Sequence, residues 1–384
     1  MLPGVSSSTS RSGRPRTARW IVGAEGWPYL LTPLIPIAIV LEVAHASDVA
    51  IFIASALGVI PPAALMGRAT EELAARSGPG IGGLLNVTFG NFPELVIAFF
   101  ALLEGLQEVV KASIIGSIIG NILLVLGAAM LVGGWGRHEQ RFHAQAVGAQ
   151  SAMLLLAVTA LVMPAVFQLV SGGGLPDPTA EDTRFTSTLE HLSLAVAIVL
   201  MFSYLAGLVF SLRTHRDIFN PESELQDEGW TVRQSVIALA IAGVAVGVMS
   251  EILVGSIAEA AESIGLSEFF IGAIVVAIVG NVAEHWVAVY VARKDQMDLA
   301  VNIAIGSSAQ IALFVAPLLV MLSFAFGDHP LALVFNGFEL AAVVLAVLIA
   351  NRVTFEGRSN WFEGVQLLSV YVVLALAFGY AQRA

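Results

Sequence analysis

Eleven apolar runs, separated by short polar breaks, constrain this chain more than any other feature. They fall at about 29–44, 49–67, 81–103, 110–132, 145–170, 189–212, 232–256, 269–292, 299–323, 331–350 and 362–380. A bilayer-spanning helix needs about 20 mostly apolar residues, so each run reads as one transmembrane helix. With 57% of 384 residues hydrophobic and 12% charged, little sequence remains for a water-soluble domain. The breaks test the count, because cytoplasmic connections collect Lys and Arg. With the N-terminus inside, only Lys111, Arg184 and Arg383 of the 18 basic residues fall outside. The same alternation puts the C-terminus outside.

Residues 1–27 carry Arg11, Arg14, Arg16 and Arg19 but no apolar stretch ahead of Trp20. That pattern predicts a cytoplasmic tail rather than a cleavable secretory signal. Zero cysteines exclude disulfides, thiolate zinc sites and Fe–S clusters, so a bound metal would need oxygen or imidazole ligands. The formal charge of −11 argues against nucleic acid as a partner. Two lysines against sixteen arginines, with abundant Ala, Gly and Val, suit a GC-rich bacterial source and hence the plasma (inner) membrane.

The chain also repeats itself. A shift of 190 residues superimposes Gly82 on Gly272, Gly90 on Gly280, Asn91 on Asn281, Glu94 on Glu284, Gly116 on Gly306 and Ser117 on Ser307, with Glu72 on Glu262 upstream. The third and eighth runs are counterparts, and five crossings apart they traverse the bilayer in opposite directions. The predicted fold is an all-α polytopic membrane protein with eleven transmembrane helices, one N-terminal helix plus two inverted five-helix repeats, the architecture of alternating-access transporters. The divisions are a tail at 1–27, an extra helix at 28–46, the first repeat at 47–213, an acidic cytoplasmic linker at 214–230 and the second repeat at 231–384.

Glu94 and Glu284 fall near the middle of their runs, where an ionised carboxylate costs several kcal/mol unless paired, hydrated or protonated. Gly90-Asn91 and Gly280-Asn281 precede them by one turn, and Pro93 removes a backbone donor, so the third run is expected to break beside its carboxylate. The fourth and ninth runs add Ser113, Ser117, Asn121, Asn302, Ser307, Ser308 and Gln310. Two carboxylates with several neutral oxygens match the hard-ligand demand of Ca²⁺, and without the cation two like charges in a dry site favour protonation. The reading from these residues is Ca²⁺ displacing up to two protons, with no cofactor. Na⁺(K⁺)/H⁺ or Na⁺/Ca²⁺ exchange on the same scaffold is the nearest alternative.

Glu72 and Glu262, at opposite membrane faces, are candidate acidic mouths. Glu339, inside the tenth run, is a candidate tuning or proton-carrying group. His285 is read as a hydrogen-bonding or pH-sensitive neighbour of Glu284, because adjacent helical residues point about 100° apart. Glu104, Glu108, Glu181 and Asp182 read as external loop charges. An intramembrane enzyme using Glu94 and His285 lacks the HExxH spacing, and a passive channel is a third reading.

From Leu85 to Leu95 the sequence reads Leu-Asn-Val-Thr-Phe-Gly-Asn-Phe-Pro-Glu-Leu, and from Gly280 to His285 it reads Gly-Asn-Val-Ala-Glu-His. These segments resemble the α-repeat signatures of the Ca²⁺/H⁺ antiporter family within the Ca²⁺/cation antiporter superfamily. Gly306-Ser307-Ser308-Ala309-Gln310 and the stretch from Ser359 to Tyr380 resemble it too. The resemblance implies eleven membrane helices, export of cytoplasmic Ca²⁺ driven by inward proton flow, and Glu94 and Glu284 as the shared ion and proton site. Phe92 departs from the small residue expected after Gly-Asn, which leaves cation selectivity more open than mechanism. Transport partners are thus Ca²⁺, H⁺ and the lipid bilayer, with oligomerisation open.

Overall fold

The computed structural model describes residues 26–178, 184–214, 229–327 and 329–381. Most of the expected tail, most of the acidic linker, and Glu181 and Asp182 lie outside the described residues. A 3₁₀ turn at Trp27–Leu31 leads into α1 (Leu34–Val43), and α2 (Asp48–Gly90) and α3 (Phe92–Leu103) follow. Next come α4 (Gln107–Gly134), α5 (Ala144–Val170), α6 (Ser187–Thr214), α7 (Val232–Gly255) and the short α8 (Ile257–Ile264). The chain closes with α9 (Glu268–Arg293), α10 (Met297–Ser323), α11 (Gly337–Thr354) and α12 (Trp361–Ala381).

Among the described residues nine helices are long and apolar enough to cross a bilayer, counting Asp48–Ser77 of α2 as one. The shorter apolar stretches Trp27–Val43 and Phe92–Leu103 occupy the first and third expected runs. Helix bounds follow hydropathy closely elsewhere, because in an apolar solvent a segment satisfies its backbone only by staying helical to the edge.

Two places depart from the apolar pattern. The expected polar break at 68–80 is helical, yet the chain doubles back within it. A Cβ added at Gly82 would overlap the Ala74 carbonyl, although residues eight apart in a straight helix are separated by about 12 Å along the axis. Ser77-Gly78-Pro79-Gly80 supplies the bend-prone sequence between them. The tenth apolar run becomes helical at Gly337 (α11) rather than 331, and Leu331–Asn336 runs non-helical though wholly buried. Buried irregular backbone needs partners. Ser323 Oγ accepts from the Leu331 amide at 2.7 Å, Ser193 Oγ accepts from Leu333 at 2.9 Å, and Lys111 Nζ donates to the Val334 carbonyl at 3.0 Å.

The connections sort onto two faces. Gln140–Arg141 (β1) pairs antiparallel with Arg358–Ser359 (β2), while Arg137 meets Asp295 and the His143 amide donates to Asp298. The loops after α4, α9 and α11, which hold Arg137, Arg141, Lys294 and Arg358, therefore share one face, with Arg293 at the end of α9 beside them. At the other, Gln107 Nε2 donates to the His329 carbonyl at 2.8 Å.

The core runs along α4 and α10, buried on nearly every side and correspondingly apolar all round. Gly116 of α4 lies against the Ala273 backbone of α9, and Gly272 faces Val109 and Ala112 of α4, so backbones touch where side chains are missing. The Gly116-x-x-x-Gly120 motif is thus half a packing face, since Gly120 has open space where its Cβ would stand.

Candidate functional site

The two signature segments meet at the centre of the bundle. The helix breaks at Asn91, with φ −97° and ψ 21°, and restarts at Phe92 with Pro93 in its first turn. Pro93 has no N–H to continue a preceding helical ladder, so the interruption falls one turn before Glu94. The equivalent Gly280-Asn281 has no following proline, and α9 passes through it unbroken after an i→i+5 stretch at Ile271–Val276. Two more π stretches lie at Gly120–Val125 and Ile311–Val315, positions matched within a residue by the 190-residue shift. Such stretches collect at functional sites because they turn side chains out of the regular register.

Polar contacts cross between the segments in a paired fashion. Ser307 Oγ donates to Asn91 Oδ1 at 2.7 Å, and Asn281 Nδ2 donates to Ser117 Oγ at 3.0 Å. Asn91 Nδ2 also donates to Gln310 Oε1 at 2.6 Å. Each glutamate lies against the glycine preceding the other. A Cβ at Gly280 would sit 3.2 Å from Glu94 Cγ, and one at Gly90 would sit 3.4 Å from Glu284 Oε1. A methyl group at Gly280 would crowd Glu94, whereas one at Gly90 would come just into contact with Glu284. Glu94 is buried and Glu284 half-buried.

A cavity of about 10 Å³ adjoins Glu94, lined by Ala98, Ser113, Ile114, Ser117, Val276, Ile311 and Val315. That volume is near the lower limit for a single water, so the space suits one small guest. Glu94 Oε2 and Asn281 Oδ1 are buried acceptors without a hydrogen-bond partner. Buried acceptors ordinarily find donors, and oxygens left bare beside a second carboxylate are the donor set a hard cation completes. Among the described residues no three His, Cys, Asp or Glu side chains cluster as metal ligands. The neutral oxygens beside the two carboxylates are those of the Asn, Ser and Gln side chains named above, together with backbone carbonyls.

His285 Nε2 meets Asn121 Oδ1 at 2.9 Å, placing it as a hydrogen-bonding neighbour of the carboxylate site. The remaining sequence candidates lie elsewhere. Glu339 is fully buried but sits in the first turn of α11, where it forms a capping box with Asn336. Its Oε2 accepts from the Asn336 amide at 2.8 Å, and its own amide donates to Asn336 Oδ1 at 2.9 Å. Glu72 Oε2 accepts from the Trp230 amide at 3.0 Å, and Glu262 is exposed on α8. Glu108, expected as a loop charge, is buried against Lys111 Nζ at 2.7 Å. Sequence reasoning left out the apolar wall of Ala98, Ile114, Val276, Ile311 and Val315, because no chemistry-bearing side chain marks it.

A helical membrane bundle with paired carboxylates set between an interrupted and a π-wound helix has the form of an ion-handling transporter. The family model described as "Sodium/calcium exchanger protein" matches residues 47–213 and 234–380, and the chain belongs to that family. A Ca(2+)/H(+) antiporter of Synechocystis sp. is 45% identical over 354 residues, covering 86% of this chain and 91% of that protein. The Ca(2+)/H(+) antiporter ChaA of Bacillus subtilis is 41% identical over 350 residues, covering 90% and 96%. The solved structure of native YfkE superimposes with a TM-score of 0.78 at 38% identity, covering 92% of this chain and 99% of that one.

Proposed function

We propose that this protein exchanges Ca²⁺ for H⁺ by alternating access, extruding cytoplasmic Ca²⁺ across a bacterial inner membrane on the proton gradient. The observation that carries the reading is the reciprocal packing of Glu94 against Gly280 and Glu284 against Gly90, joined by the Asn91–Ser307 and Asn281–Ser117 bonds. Relatives named Ca(2+)/H(+) antiporter at 41–45% identity support the same ions here. Glu94 and Glu284 bind the cation, and Asn91, Asn281, Ser117, Ser307 and Gln310 position them or add oxygens. Gly90 and Gly280 leave the room.

Two carboxylates neutralise one Ca²⁺, and once it leaves, their mutual repulsion in a water-poor site draws in protons. Either load removes the net charge that would keep the site from crossing its low-dielectric surroundings. Mutually exclusive occupancy is then the coupling.

The architecture proposed for this cycle is eleven crossings: one N-terminal helix, an inverted repeat over 47–213 and another over 231–384, joined by a cytoplasmic linker. The two blocks matched by the family model and the equivalent π stretches support it. The arginine-bearing loops that share a face support a cytoplasmic assignment for that face and for the N-terminus, with the C-terminus outside.

Everted membrane vesicles test the function. Adding Ca²⁺ to vesicles holding an acid interior is expected to dissipate the pH gradient, and Na⁺, K⁺ and Mg²⁺ are expected to do so weakly. A response to Na⁺ or K⁺ and none to Ca²⁺ would replace the proposed substrate.

A further inference from the structure

Three polar side chains near the cytoplasmic end of the second crossing have no part in the exchange site, and they line one helix face. Arg68, Glu72 and Arg76 recur every four residues in α2, stacking one turn above another. All three engage one dipeptide, Gly229–Trp230, where the linker ends. Glu72 Oε2 accepts from the Trp230 amide at 3.0 Å, Arg76 Nη2 donates to the Gly229 carbonyl at 3.1 Å, and the Arg68 guanidinium stands 4.9 Å from the Trp230 ring centroid. The next residue, Thr231, caps α7 through a capping box with Gln234. Gly229–Trp230 is therefore held on one side by α2 and runs directly into a fixed helix start on the other.

The location matters for the site. Between Ala74 and Gly82 the chain doubles back, and the segment that leaves this turn carries Asn91 and Glu94. Arg76 lies inside the turn and Glu72 half a turn before it. Any looseness there passes into the placement of the interrupted helix, whereas α9 reaches Glu284 as an unbroken helix. The 190-residue counterparts of the three residues are Ala258, Glu262 and Leu266, and Glu262 is exposed. Among the described residues the second half carries no such trio at the equivalent positions, and the half that carries it is the one whose site helix is broken.

We propose that Arg68, Glu72 and Arg76 form a clasp on Gly229–Trp230 that sets the cation affinity of the site by fixing the turn from which Asn91 and Glu94 depart. They are positioning residues, and the proposal rests on the reading that Asn91 and Glu94 serve the transported cation. It also gives Glu72 a task other than an acidic mouth.

The test is Ca²⁺-driven proton movement in everted vesicles bearing wild-type protein, Glu72→Ala and Glu72→Gln. Loss of a charge-assisted hydrogen bond at the clasp is expected to raise the KM for Ca²⁺ by about tenfold in Glu72→Ala, with maximal rate changed less than about twofold. Glu72→Gln keeps an oxygen that accepts from the Trp230 amide, so its KM is expected within about threefold of wild type. An unchanged KM in Glu72→Ala, or a Glu72→Gln that behaves like Ala, overturns the clasp. If wild-type vesicles respond only to another cation, the Ca²⁺ reading fails and the clasp is judged by the same KM ratio for that cation. If they respond to none, both fall.

Discussion

Glu94→Gln and Glu284→Gln are each expected to abolish Ca²⁺-dependent proton movement in vesicles while leaving the protein folded and in the membrane. Glutamine keeps the shape and one acceptor oxygen but removes a charge and the proton that the carboxyl carries. Removing one member of a buried charge set costs about 3 kcal/mol or more, so cation affinity is expected to fall by over about a hundredfold. The coupling suffers more than the affinity, because a site with one carboxylate has neither a full charge match for Ca²⁺ nor two proton places. The two variants are expected to behave alike, since each carboxylate lies against the glycine of the other's segment and neither is peripheral. Either variant transporting Ca²⁺ against a proton gradient at the wild-type rate would remove that glutamate from the site.

The second large effect is expected at a residue that carries no chemistry. Gly116→Ala inserts a methyl group into the Ala273 carbonyl, and backbone meets it on the α9 side, so no side chain can swing away. Overpacking against a rigid neighbour costs about 3 kcal/mol, and here it pries apart the helices bearing Ser117 and Asn281. Folded protein recovered in detergent and its thermal midpoint are both expected to drop sharply. Gly120→Ala, four residues on, meets open space and is expected to stay close to wild type. Equal tolerance of the two would contradict the close approach of α4 and α9.

Much of this was legible in the chain itself. Hydropathy located nearly every helix, because membrane segments have one solvent and one way to satisfy their backbone. The 190-residue register picked out Asn91, Glu94, Asn281 and Glu284, the proposed site residues, because they recur at equivalent places, and Pro93 marked the break. What failed to read out depended on partners distant in sequence. Leu331–Phe335 looks like the start of a helix, but its amides and carbonyls are taken by Ser323, Ser193 and Lys111 from three other helices. The Asn336-x-x-Glu339 spacing did carry the capping signal, hidden behind that apolar run. Glu108 and Lys111 stand at i, i+3 and pair inside the protein, although charged residues beside a polar break read as solvated. Glu72 meets Trp230, 158 residues away, which no local pattern announces.

Proton release on Ca²⁺ binding tests the shared-carboxylate account most directly. Purified protein in weakly buffered detergent, titrated with Ca²⁺ while pH is followed, is expected to liberate up to two protons per bound ion. Lower starting pH is expected to weaken binding, because protons compete for the same oxygens. The Glu94→Gln/Glu284→Gln double variant is expected to release none. Tight Ca²⁺ binding with no proton release by the wild-type protein, or the same release from the double variant, would contradict it.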